Sequence, residues 1–257
     1  MKTLLNIEKT ELLIPTKENI EKAIMQIKDA MSNRQAIINI FTNELVAITE
    51  YLHLCNGKPH ACNNISLLFN PHRLDIKTVD SQIPIYKLFQ NPKWINGLAR
   101  IIIANNKTKS ATIKTFLKLG INGSQWISDF PPFIVQNLIK KFHIRRVDHI
   151  LDPCAGWGGR MIGVSTMCDN YLGFEPAVKT VEGLHKLNKF LRLLQPTFKA
   201  HIYCLPFEDS KLKPNSFNFA ITSPPYYDTE RYTEEETNSL NPTYNSLIGF
   251  FNCLIII

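Results

Sequence analysis

The chain has 257 residues, 44% hydrophobic, 20% charged and 10% aromatic, an ordinary globular composition that excludes collagen-like, mucin-like and wholly disordered chains. No apolar run approaches the ~18 residues of a membrane span, and no signal-peptide core precedes the first charges, so no membrane partner is expected. Six cysteines without a secretion signal read as reduced thiols of a cytoplasmic protein, and the net charge of +7 divides unevenly, 20 basic against 10 acidic residues over 1–146 and 9 against 12 over 147–257, which suits a basic arm meeting a polyanion.

In chain order, Ile20, Ile24, Ile27 and Met31 recur at helical spacing and predict an amphipathic helix over 17–31. A second helical pattern fills 34–54. Residues 55–75, rich in Asn, Gly, Pro and His, read as loop. A helix is expected from Ser110 to Leu119, stopped by Gly120, with a turn at Asn122-Gly123. Pro132 opens a helix to Phe142. Thereafter strands at 147–152, 171–176, 201–205 and 217–222 alternate with helices after the glycine cluster and over 177–194. That alternation predicts a parallel sheet with crossover helices. The domain boundary is placed near 125–130, between a mostly helical basic region 1–124 and an α/β domain 125–257.

Asp152-Pro153-Cys154-Ala155-Gly156-Trp157-Gly158-Gly159-Arg160 follows the first strand and opens a helix. Glycines there let the backbone bend sharply and approach a ligand, and free amides at the helix start attract polar groups. The phosphate-loop pattern is absent, and the dinucleotide fingerprint fails because its third glycine position is Met161. S-adenosylmethionine remains, with Glu175 after the second strand placed to accept from ribose hydroxyls; a turn without ligand is the alternative. Cys154 is read as packing.

Ser223-Pro224-Pro225-Tyr226 directly follows the fourth strand. Two prolines fix the chain and remove two amide donors. The carbonyls and the Ser hydroxyl are left to accept from an exocyclic amine, and Tyr226 offers a face for stacking on a base. An ordinary Pro-Pro turn is the alternative.

Taken together, DPCAGWGGR, FEP and TSPPYYD resemble the amino-methylating DNA methyltransferases, which act on N4 of cytosine or N6 of adenine. YYDTERYTEEETNSLNPTY looks like the corresponding region of phage-type and viral members, and the helix led by Phe130-Pro131-Pro132 resembles the segment that closes over the cofactor. The resemblance covers about 125–250. It implies a Rossmann-like class I methyltransferase sheet and S-adenosylmethionine held by Phe130, Asp152, Ala155, Gly156, Gly158 and Glu175. The family's adenine contact falls near Cys204, where Phe207 or Glu208 substitutes. The resemblance also implies a flipped DNA base held by Ser223, Pro224 and Tyr226, with Pro225 stiffening the turn. Ser at the first position leans toward N4-cytosine. Direct transfer to an oriented amine requires neither a metal nor a covalent enzyme intermediate.

Only four strands of the family's seven are legible, a fifth being available from 248–257. This implies a truncated chain or one part of a split enzyme, and a restriction-modification setting fits the resemblance. Methylation of RNA or of a protein glutamine, and a non-catalytic DNA-binding remnant, are the rival readings. His53-x-Cys55 and His60-x-Cys62 lack standard finger spacing and are read as polar loop residues, so no metal is expected. Lys107, Lys109, Lys114 and Lys118 surround one predicted helix, as phosphate contacts or as a solvated face. Trp94 and Trp126 are read as core.

Overall fold

A computed structural model describes residues 43–75 and 129–224 without interruption, together with the short strand segments Lys77–Thr78 and Glu230–Arg231 and scattered residues between 18 and 93. Of the helix expected over 17–31, only Glu18, Glu21 and Met25 are described, each helical; the helix expected from Ser110 to Leu119, the Asn122-Gly123 turn, Lys107, Lys109, Lys114, Lys118, Trp94, Trp126 and the fifth strand at 248–257 lie outside the described residues.

The chain divides into two compact units, 1–41 with 74–126, and 42–73 with 127–257. The second carries the sheet. Residues 42–73, expected in the helical region, instead fold with the sheet.

That segment begins with α1, Glu44–Cys55. The helical pattern over 34–54 is interrupted at Asn43, which has extended backbone and caps α1 by accepting from the Leu45 and Val46 amides at 2.9 and 3.3 Å. The stretch read as loop contains α2, Asn63–Phe69, and a 3-10 turn, Pro71–Asp75. Its turn-forming composition concealed the buried Ile65 and Leu67. Buried polar contacts tie α1 to the helices that follow Pro132 and Gly159. The Tyr51 and Ser165 hydroxyls lie 3.0 Å apart. Gln136 Nε2 donates to the Leu54 carbonyl at 3.0 Å and to Thr166 Oγ1 at 2.8 Å.

Next come α3 (Pro132–Lys141), β1 (His149–Asp152), α4 (Gly159–Ser165), β2 (Asn170–Phe174), α5 (Val178–Leu194), β3 (Lys199–Tyr203) and β4 (Phe219–Ala220). Pro132 stands in the first turn of α3, where its missing amide costs nothing. Along α5, Thr180, Val181, Leu184, Leu187 and Leu191 form the buried stripe of an amphipathic helix. Gly163 lets α4 approach α3: a Cβ there would stand 2.6 Å from Val135 Cβ.

The four strands form one parallel sheet in the order β3-β2-β1-β4. β1 is central, and Ile150, Leu151 and Asp152 are all buried, as a strand covered on both faces requires. β3 is the edge of the described sheet and alternates exposed Lys199, His201 and Tyr203 with half-buried Ala200 and Ile202. The architecture is α/β, with a parallel four-stranded sheet compatible with a Rossmann-like arrangement. Among the described residues no helix is long and apolar enough to cross a membrane.

Candidate functional site

The chain passes from β1 through β2 to β3 on one side and then returns, so that β4 lies on the other side of β1. This reversal is where open α/β sheets leave a crevice beyond the strand carboxyl ends. Ile150 pairs with Phe219 and Leu151 with Ala220 in parallel register, and the Ile221 amide donates to the Leu151 carbonyl at 2.9 Å. The turn after β1 and the Thr222-Ser223-Pro224 turn therefore leave the same rim from neighbouring strands.

Three interactions shape the glycine turn from below. Asp152 is fully buried; its Oδ2 accepts from Arg160 Nε at 2.8 Å and from the Tyr171 hydroxyl at 2.7 Å, while Oδ1 accepts from the Cys154 amide at 3.3 Å. Arg160 also donates from Nη2 to the Cys154 carbonyl, and its guanidinium lies 5.4 Å from the centre of the Phe130 ring. Burial, reinforced by the Asp152 charge, pushes the Tyr171 phenol well above its ordinary range and keeps it a donor. Asp152 was expected to face the cofactor. With no exposed surface and both oxygens engaged, it instead braces the turn from beneath.

The glycines divide the labour. Gly158 has φ +90°, and a Cβ there would lie 2.5 Å from Leu187 Cδ2 and 2.9 Å from Leu184 Cδ2, so the bend is pressed onto α5. Gly156 has φ +55°, and a Cβ there would have no neighbour closer than 3.9 Å. Its amide donates to Glu175 Oε2 at 3.0 Å, and Ala177 donates to Oε1 at 3.0 Å. The Ala155 amide donates to the Phe174 carbonyl at 2.7 Å. Burial raises the Glu175 carboxyl to about 7 against the two amides that favour its charge. Burial likewise pushes the Cys154 thiol up to about 12, which suits packing rather than nucleophilic attack.

Beyond Glu175 the rim is aromatic. The Phe174 and Tyr203 rings stack at 5.3 Å, and Phe207 meets Phe174 edge-on at 5.2 Å. Phe207 is half-buried, whereas Glu208 is exposed. Cys204 is exposed and donates to the Pro176 carbonyl at 3.8 Å. Ser223 and Pro224 are half-buried at the end of β4; Pro225 and Tyr226 lie outside the described residues.

The rim thus gathers Gly156, Glu175, Phe174, Phe207, Ser223 and Pro224, with Phe130 held behind the turn by Arg160. Sequence reasoning missed the supporting roles of Arg160 and Tyr171. Arg160 stood in the glycine motif, and its spacing from Asp152 across a tight turn into a helix was the available signal; Tyr171 carried none. Compared with known proteins, the chain matches no family model, no curated protein and no solved structure.

Proposed function

We propose that this chain is an S-adenosylmethionine-dependent methyltransferase acting on the exocyclic amine of a flipped DNA base, N4 of cytosine in preference to N6 of adenine. The observation that carries the reading is the juxtaposition of the bend after β1 with the Thr222-Ser223-Pro224 turn after β4, at the point where the strand order reverses. The finer fold assignment, a class I methyltransferase sheet, belongs to the same proposal.

The residues present suit the cofactor. Glu175 ends β2 with a carboxylate able to accept from ribose hydroxyls. The open position beside Gly156 admits the close passage of a ligand chain. Phe174 and Phe207 offer an apolar, aromatic wall beside Glu175 for an adenine ring. When bound, the cofactor supplies a methyl group on a sulfonium, an electrophile that needs no metal.

The chain's own work is orientation. The Ser223 hydroxyl and the carbonyls of the turn accept from the target amine, aiming its lone pair and steadying the positive charge that develops on nitrogen as the carbon–nitrogen bond forms. Proline at 224 removes an amide that would otherwise compete for those acceptors. Extruding the base costs a few kcal/mol, roughly, and stacking on Tyr226 offsets it.

The test is transfer from methyl-labelled S-adenosylmethionine to DNA, to RNA and to protein, followed by identification of the modified nucleoside. Labelled N4-methylcytosine in DNA, lost in Ser223→Ala and Tyr226→Ala, is expected. Label only in RNA or protein reassigns the substrate. A wild-type chain that gives no heat with the cofactor ends the enzymatic reading.

A further inference from the structure

The second half of α1 and the segment that follows it bring three metal-ligating side chains together, Glu50, His60 and Cys62, with His53 beside them. Glu50 and His53 are three residues apart on α1, so they share one helix face. Half-buried His60 and buried Cys62 come from the segment that leads into α2. The ligand atoms of Glu50, His60 and Cys62 all lie within 4.8 Å of one another, and the His53 and His60 rings are 6.1 Å apart. We propose that Glu50, His53, His60 and Cys62 form a four-ligand structural site for a zinc ion.

The donor set fits that ion. Zinc takes thiolate, imidazole and carboxylate in tetrahedral sites, and a site closed by four protein ligands is structural. Glu50 already has the outer support that metal ligands usually carry. Glu50 Oε2 accepts from the Asn64 and Ile65 amides at 3.1 and 3.4 Å, and its Oε1 accepts from Asn64 Nδ2, which fixes the carboxylate while leaving lone pairs for a cation. The His60 ring is oriented by the Cys62 amide, which donates to Nδ1 at 3.0 Å; a metal takes over that lone pair. Cys62 is fully buried and holds a left-handed backbone, φ 52°, at the head of α2 without capping it by its own side chain. Burial holds its thiol well above the ordinary range. A bound cation supplies the positive charge that this enclosed sulfur otherwise lacks; the thiol proton passes to solvent as the sulfur–zinc bond forms. Neighbouring ligand atoms of a tetrahedral zinc stand about 3.5 Å apart, so Glu50, His60 and Cys62 close on an ion with roughly 1 Å of inward movement, and the His53 ring, 6.1 Å from that of His60, turns in to complete the set.

The site would clasp α1 to α2, and α2 supports the glycine turn: Asn70, just after it, donates from Nδ2 to the Trp157 carbonyl at 3.1 Å. The proposal stands independently of the methyltransferase reading.

Its test uses the full chain, stripped by chelator and titrated with cobalt(II) alone. One cobalt per chain, intense tetrahedral visible bands, a sulfur-to-cobalt charge-transfer band and displacement by zinc are expected. Cys62→Ser should abolish the charge-transfer band. His53→Ala, on a half-buried side chain with circular dichroism matched to wild type, should weaken cobalt by at least about tenfold. Cys55→Ser, whose thiol lies beside Tyr51 and Gln195, should change neither. A weak octahedral spectrum, a band that follows Cys55, or unchanged affinity in His53→Ala overturns the site. If Cys62→Ser does not fold, His53→Ala decides alone.

Discussion

The Gly156 amide donates to the Glu175 carboxylate at 3.0 Å, tying the bend after β1 to the end of β2. Because burial raises that carboxyl to about 7, its charge is set within the physiological range. Under the proposed function, ribose hydroxyls donate to the ionised form. Cofactor affinity should therefore rise roughly tenfold between pH 6 and pH 8, following the ionised fraction. Calorimetric titration at three pH values measures it; Glu175→Gln should bind weakly and without this pH dependence.

The same group affects stability with a definite sign. A carboxyl raised from 4.5 to about 7 on folding binds its proton more tightly in the folded chain. Its stabilisation is complete below 4.5 and is lost as pH rises through about 7. At pH 8 Glu175→Gln should gain about 1–2 kcal/mol over wild type, less than the full shift implies because the residue is partly exposed. At pH 4 the gain should vanish. Urea unfolding at the two pH values provides the comparison.

Asp152 and Arg160 are paired at 2.8 Å with side chains 0% and 5% exposed. Removing one member leaves the other charged and enclosed. Asp152→Ala should cost about 3–5 kcal/mol, and Tyr171→Phe about 1–2 kcal/mol through one lost bond to a charged acceptor. Denaturant midpoints of the single and double variants would show strong coupling between the two positions.

The two positive-φ glycines of the bend after β1 should respond differently. Gly158→Ala meets Leu184 and Leu187 and should lose more than about 2 kcal/mol. Gly156→Ala meets nothing within 3.9 Å, so only its left-handed backbone is penalised, by about 1–2 kcal/mol. The second variant should stay folded yet bind S-adenosylmethionine at least about tenfold more weakly. Thermal melts and cofactor titration of both variants separate these effects.

Trimming Tyr51 should destabilise the sheet itself, although it lies far earlier in the chain. Tyr51→Ala empties a fully enclosed site and removes the contact with Ser165, with an expected loss of about 3–5 kcal/mol. Far-ultraviolet dichroism and tryptophan emission should report one coincident transition.

The elements most legible beforehand were those whose signal is local. Pro132 marked the start of α3, and the alternation of apolar runs with helical stretches marked β1 to β4. β4 proved to be only Phe219–Ala220, shorter than the apolar run 217–222, because only Ile150 and Leu151 of β1 pair with it. Glu175 was legible from its place at a strand end. The burial of Asp152 was not, since it depends on Arg160 swinging back from α4 and on a phenol from β2. Nor was α2, whose Asn-rich start is capped by Glu50 from another helix. Such contacts join residues distant along the chain, and neither composition nor periodicity records them.

The sheet unit is assembled from two separated pieces, 42–73 and 127–257, and this orders events during synthesis. The early helices emerge from the ribosome with only each other to lie against, since their anchors Gln136, Ser165 and Thr166 are made much later. Until then the sides they turn to those anchors wait uncovered, and the unit closes only when the later part of the chain captures that old segment.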